Sequence, residues 1–129
     1  GKSVWYINNT RGEDPTYSEF LFQLLYVRPE YAKQNPDIVR KVASSLLEAN
    51  RWIAKAADAD LLRVAKKRFA AVDDATLQEA IGNVRPAFTS DGRITQRSVE
   101  AAIKFLQTTD MMTGTVPWDA VADNSFLPK

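Results

Sequence analysis

The chain has 129 residues, enough for one domain of ordinary size, and its 45% apolar and 26% charged content excludes a disordered protein. A net charge of +1 gives no electrostatic argument for nucleic acid or an anionic membrane. The sequence has no histidine and no cysteine, which removes zinc-finger spacing, thiol catalysis, disulfides and every Ser-His or Cys-His arrangement within it. No apolar run approaches the roughly 20 residues that span a bilayer.

Gly1-Lys2-Ser3 leads straight into Val4 to Asn8, whose β-branched and aromatic residues predict a strand. An opening with no lead-in is what a fragment or a processed product would have. Asn9 to Ser18 is dense in Asn, Gly, Asp and Pro, as a loop should be. Glu19 to Val27 predicts a second strand, ended by Arg28-Pro29 because proline removes a ladder donor and restricts the residue before it. Glu30 to Gln34 predicts one helical turn. Asn35-Pro36 then supplies a cap and a first-turn proline for a long helix from Pro36 to about Ala56. Ile38, Val42, Leu46, Ala49 and Ile53 recur on one face of it.

Asp58 or Asp60 can cap a helix reaching about Phe69, with Leu61, Leu62, Val64 and Ala65 inward. Asp73 and Asp74 offer a cap for a helix near 74–85 that carries Leu77, Ala80, Ile81 and Val84 and stops before Pro86. Ser90-Asp91-Gly92-Arg93 reads as a turn. Thr95 caps a last long helix near 95–109, where Val99, Ala102, Ile103 and Leu106 share a face and Gly114 lies beyond the end. Pro117 to Ala122 predicts a short final helix. The expected core is Val42, Leu46, Ile53, Leu61, Leu77, Ile81, Ile103 and Leu106. A full burial of Leu46 would make Leu46→Ala cost roughly 2–5 kcal/mol.

Read in this order, the chain resembles the C-terminal part of the periplasmic solute-binding proteins of ABC importers, in the group serving nitrate, sulfonate, taurine and thiamine-precursor uptake. The marks are the strand-loop-strand Val4–Val27, then Pro29-Glu30-Tyr31-Ala32-Lys33-Gln34-Asn35-Pro36-Asp37-Ile38-Val39-Arg40-Lys41, with the continuation Leu47-Glu48-Ala49-Asn50-Arg51-Trp52-Ile53. Ser90-Asp91-Gly92-Arg93-Ile94, then Ser98-Val99 and Phe105-Leu106, match a later turn and helix. Val121-Ala122-Asp123-Asn124-Ser125-Phe126-Leu127 looks like the family's ending. The resemblance implies a mainly α chain with two N-terminal β-strands, forming the C-terminal portion of a two-lobed α/β type II periplasmic-binding fold. Residues 1–28 would be the strand-loop-strand return crossing between lobes, and 29–129 the helical C-terminal part of the first lobe.

The implied function is capture of a small ligand for delivery to a membrane permease, in the periplasm or as a secreted lipoprotein, without catalysis, cofactor or metal. The ligand would be held by the complete parent protein, of about 300 residues in this family, and the partner would be an ABC permease. Family members close two lobes about hinge strands on ligand binding. Two alternatives stand beside this: a thiamine-pyrimidine-synthase-like enzyme of the same fold, and a stand-alone helical interaction domain. A bare pair of N-terminal strands also implies self-association through that region.

Thr10, Arg11, Thr16 and Tyr17, in the loop between the strands, are the expected ligand-binding residues. Arg11 suits an anionic ligand held bidentately, and Tyr17 an aromatic wall. A solvated loop turned by Gly12 and Pro15 is the plainer account of the same residues. Residues 90–94 look like half a calcium loop, but the first and twelfth places fall on Ala87 and Ser98, so both key carboxylates are missing. Lys66-Lys67-Arg68 reads as a solvated basic face. Trp5, Trp52 and Trp118 are expected in packing, with Trp118 pinning the tail. The pairs Glu13/Asp14, Asp73/Asp74 and Asp119/Asp123 invite acid–base chemistry, yet no partner groups surround them in sequence, and capping explains Asp at helix starts.

Overall fold

The computed structural model describes residues 24–128, and these are mainly helical. In chain order they form α1 (Pro29–Gln34), α2 (Pro36–Lys55), α3 (Asp58–Arg68), α4 (Asp74–Val84) and α5 (Gln96–Thr108), with short 3-10 turns at Arg85–Ala87 and Trp118–Ala120. The four long helices lie within about a residue or two of the spans expected from sequence. The expected fold class is overturned: among the described residues there is no strand and no two-lobed α/β arrangement. Val4–Asn8 and residues 19–23 of the second expected strand lie outside the described residues. Leu24 to Val27 is described, and it pairs with nothing in a ladder. Aromatic and β-branched composition favours a pleated surface only where a neighbouring strand accepts its backbone, and here Leu25, Tyr26 and Val27 are exposed. Arg28 is extended, with φ −66° and ψ 136°, as the residue before Pro29 must be.

Two compact units divide the described residues: 24–44 with 93–128, and 45–92. In the first, Asn35 ends α1 by sending its backbone N–H to the Tyr31 carbonyl at 2.8 Å, and its side-chain nitrogen donates to the same oxygen at 3.2 Å. The Asn35 carbonyl then accepts the first bond of α2, from Val39 N–H. α5 opens on a reciprocal capping box. The Thr95 hydroxyl accepts from Ser98 N–H and the Ser98 hydroxyl accepts from Thr95 N–H, each at 3.1 Å. The short Ser98 side chain is buried in this role beside buried Val99.

α5 does not stop at Gly114. Asp110, with φ 57°, takes the left-handed position after the Thr109 cap. Met111 N–H reaches Leu106 O at 2.9 Å and Asp110 N–H reaches Gln107 O at 3.2 Å, the paired bonds of a Schellman ending. Gly114, at φ 81°, serves a later turn, where its carbonyl accepts from the Gln107 side chain.

The unit 45–92 contains the second half of α2, then α3 packed against α4. The α3–α4 connection is short because Lys66 spans it. Its ammonium donates to Val72 O at 2.7 Å and pairs with Asp74 at 2.8 Å. The first lysine of the basic run is therefore fixed by the turn, while Lys67 and Arg68 are exposed. Asp58 and Asp60 do not cap α3. Its N-cap is Ala57, Asp58 pairs with Arg85, and Asp60 pairs with Arg63 one turn on.

The core differs from expectation on one helix face above all. On α2 the buried residues are Val39 (5% exposed) and Leu47 (3%), whereas Val42 and Leu46 are 42% and 48% exposed. Val39, Ala43 and Leu47 repeat at the same four-residue spacing as Ile38, Val42 and Leu46, so spacing alone could not choose between the stripes. Leu61 and Leu77 are buried as expected, Ile53, Ile81, Ile103 and Leu106 are half-buried, and Val64 and Val84 are exposed. Leu47→Ala is expected to cost about 2–4 kcal/mol, and Leu46→Ala less than about 1 kcal/mol, in urea denaturation. Equal losses would show that both stripes are covered in solution. Asp110→Gly is expected to gain about 0.5 kcal/mol, relief of left-handed strain exceeding the added freedom of the unfolded chain; a loss in the same assay would mean that the carboxylate contributes more than the strain costs.

Candidate functional site

The expected ligand residues Thr10, Arg11, Thr16 and Tyr17 lie outside the described residues, as do Trp5 and the pair Glu13/Asp14. The described residues include two open depressions, one in each unit. The larger, of about 370 Å³, lies between the first turns of α5 and the strap at 115–119. Gln96, Glu100, Trp118 and Asp119 line it, with Val116 and Pro117 as its apolar part. The smaller, of about 230 Å³, is lined by Asp58, Gln78, Ile81 and Gly82.

The elements explain why these side chains stand where they do. Gln96 and Glu100 are one turn apart on α5, and the Gln96 amide donates to the Glu100 carboxylate at 2.8 Å. Pro117 starts the 3-10 turn Trp118–Ala120, whose end is closed by Ala122 N–H on Trp118 O at 2.9 Å. Trp118 is half-buried there, in keeping with its expected tail-pinning place, while Trp52 is 45% exposed and does not serve the core expected of it. The lining of the larger depression holds two carboxylates, an amide, an indole and the Thr115 hydroxyl. Its chemistry is that of a shallow acidic surface.

Three carboxylates of the remaining pairs have structural partners. Asp73 is the N-cap of α4. Its carboxylate accepts from Thr76 N–H at 2.9 Å and from the Thr76 hydroxyl at 2.7 Å. Those two bonds, the backbone one foremost, hold the Asp73 carboxyl below the usual carboxylate range. Asp74 pairs with Lys66, and Asp123 accepts from Ser125 N–H at 2.8 Å in a local turn. The 90–94 segment is likewise a turn: Gly92 has φ 66°, and the Ser90 carbonyl accepts from the Arg51 guanidinium at 2.9 Å. Among the described residues no group of three or more His, Cys, Asp or Glu is placed to hold a metal ion, and no helix is long and apolar enough to cross a membrane.

Three residues that tie parts of the chain together were given no structural role from the sequence, although Arg40 and Asn124 lie within the phrases that carry the resemblance. The Arg85 guanidinium donates to Asp58 and to the Ala54 and Ala56 carbonyls, all at 2.8 Å. The Asn124 side chain accepts from Ile94 N–H at 3.0 Å and donates to Ile94 O at 2.8 Å. Arg40 lies over the Phe126 ring, 5.7 Å from its centroid. Arg85 stands just before a proline at a helix end, which is a faint signal that a cation is available there to helix-end carbonyls. Nothing local marks Asn124.

No protein-family model matches the chain, and neither does any curated protein or any solved structure.

The Asp73 cap has a pH signature. Because its carboxyl binds protons less readily folded than unfolded, its stabilisation is full at neutral pH and is lost as the pH falls through the acid range below about 4. Asp73→Asn, whose side chain still caps, is expected to show a smaller drop in urea midpoint between pH 6 and pH 3 than the parent chain. Equal drops would assign the acid loss to other carboxylates.

Proposed function

We propose that this chain is part of the solute-binding component of an ABC-type importer, which captures a small ligand in the periplasm and delivers it to a membrane permease. The sequence phrases that resemble that family support the reading, and one structural observation carries it. Phrases far apart in the chain meet: Ile94, of the Ser90–Ile94 phrase, is clasped by Asn124 of the ending phrase. Arg40, within the Pro29–Lys41 phrase, lies over Phe126 of the same ending. Residues that recur in order also hold one another, as parts of a shared scaffold do. The proposed role of the helical residues is to form that scaffold, and the proposed ligand contacts are Thr10, Arg11, Thr16 and Tyr17. Arg11 would serve an anionic group.

The second reading, a helical interaction domain, is favoured by the uncovered apolar stripe of α2, with Ile38, Val42, Leu46 and Trp52 all exposed.

Calorimetric titration of the polypeptide encoded by the complete reading frame separates the readings. The panel is nitrate, taurine, an alkylsulfonate and the thiamine pyrimidine precursor. Saturable micromolar binding of one class is expected, weakened at least tenfold by Arg11→Ala. Turnover of the added compound would favour the enzyme alternative. No binding across the panel would favour the interaction domain.

A further inference from the structure

The apolar arc of α2 is too wide for the cover it has. At about 100° per residue, the arc runs from Trp52 through Ile38, Ala49, Val42 and Leu46 to Val39, Ala43 and Leu47, roughly 200° in all and about twice a one-sided stripe. Among the described residues the Val39–Leu47 edge is buried, and on the rest of the arc Ile53, between Val42 and Leu46, is half-buried. Ile38, Val42, Leu46 and Trp52 are each between 42% and 48% exposed, and Ala49 is exposed beside them. A solvated helix has no use for four large apolar side chains in one stripe, because each leaves apolar surface in water.

We infer that this stripe is an interface between two copies of the chain, with their α2 helices packed antiparallel about a two-fold axis. Charge complementarity selects that occupant and that direction. Lys41 and Glu48 border the open edge of the stripe, both are exposed, and neither has an ion-pair partner among the described residues. They lie seven residues apart on one flank. In an antiparallel pair the same flank of each helix faces its counterpart, so Lys41 of one copy meets Glu48 of the other, twice, by symmetry. A parallel pair would bring that flank against the edge that the chain already buries. The axis falls between Ser44 and Ser45, near the midpoint of Pro36–Lys55, so the stripe overlaps along nearly the whole helix.

The size is adequate. Two such stripes with their flanks remove on the order of 600 Å² per copy from water, near the lower bound of about 1,200 Å² in total for a specific interface. The association is therefore expected in the micromolar range. The inference does not rest on the transport reading.

Sedimentation equilibrium of the 129-residue chain is the test. A monomer–dimer equilibrium is expected, weakened at least tenfold by Val42→Glu on the exposed stripe. Lys41→Glu and Glu48→Lys are expected each to weaken it severalfold, and the two together to restore it, since the double exchange rebuilds both pairs. These three positions are exposed, and circular dichroism of each variant is the check that it keeps its helices. A monomer throughout the micromolar to sub-millimolar range overturns the inference and leaves the stripe to a different partner. A dimer indifferent to Val42→Glu overturns it also, placing self-association elsewhere in the chain. A dimer weakened by Val42→Glu but without rescue in the double exchange overturns the antiparallel arrangement.

Discussion

The unit 45–92 depends on one guanidinium. Arg85 closes three acceptors at once: the Ala54 and Ala56 carbonyls at the end of α2, and the Asp58 carboxylate at the start of α3. The carbonyls at a helix end have no partner within the helix and carry its negative dipole, while an acid in a first turn faces a positive one. A single cation held between them fixes the corner from α2 into α3 and attaches the end of α4 to it. Arg85 is well placed because α4 runs directly into the 3-10 turn that Pro86 starts. A lysine there would offer one compact charge in place of a fork that reaches several acceptors together.

Such polar fixtures matter because burial is thin. Among the described residues, the buried apolar side chains are Val39, Leu47, Leu61, Leu77 and Val99, and none of them is below 2% exposure. Each helix therefore relies on its ends: Asp73 and the Thr95–Ser98 box at starts, the Asp110 turn and Arg85 at stops. The carboxylates that suggested acid–base chemistry are largely taken up in this work. An Asp whose oxygens are already accepting two short bonds from its own helix is poorly placed to abstract a proton.

Those ends also explain what could be read in the sequence. Asn35-Pro36, Asp73, Arg85-Pro86 and Thr95 are local signals, so the helix spans were legible to within about a residue or two. The inward face of α2 was not, because its apolar arc holds two stripes of equal spacing, and the choice between Val39–Leu47 and Val42–Leu46 is made by tertiary cover. The end of α5 near 109 was legible, but the residue in the left-handed position after its cap was not: it is Asp110 rather than a glycine, because aspartate enters that region less often than glycine and is not sought there first. Leu24 to Val27 has the composition of a strand, but a strand exists only in a ladder, and composition does not supply the neighbour. Of the candidate site, the sequence marked Trp118 and the Asp pairs by type alone. Thr10, Arg11, Thr16 and Tyr17 fall outside the described residues, so the loop reading rests on sequence.

The Asn124 clasp also sets a chemical lifetime. Its amide is used as acceptor and donor together on one residue, Ile94, a match that neither a carboxylate nor a longer amide reproduces. Deamidation would place a negative oxygen against the Ile94 carbonyl and turn the clasp into a repulsion. That reaction begins when the next backbone nitrogen attacks the side-chain carbonyl, and here the nitrogen is Ser125 N, whose hydrogen is held by Asp123 at 2.8 Å. Asp123, which touches none of the clasp itself, thus holds the one N–H that deamidation of its neighbour would have to use.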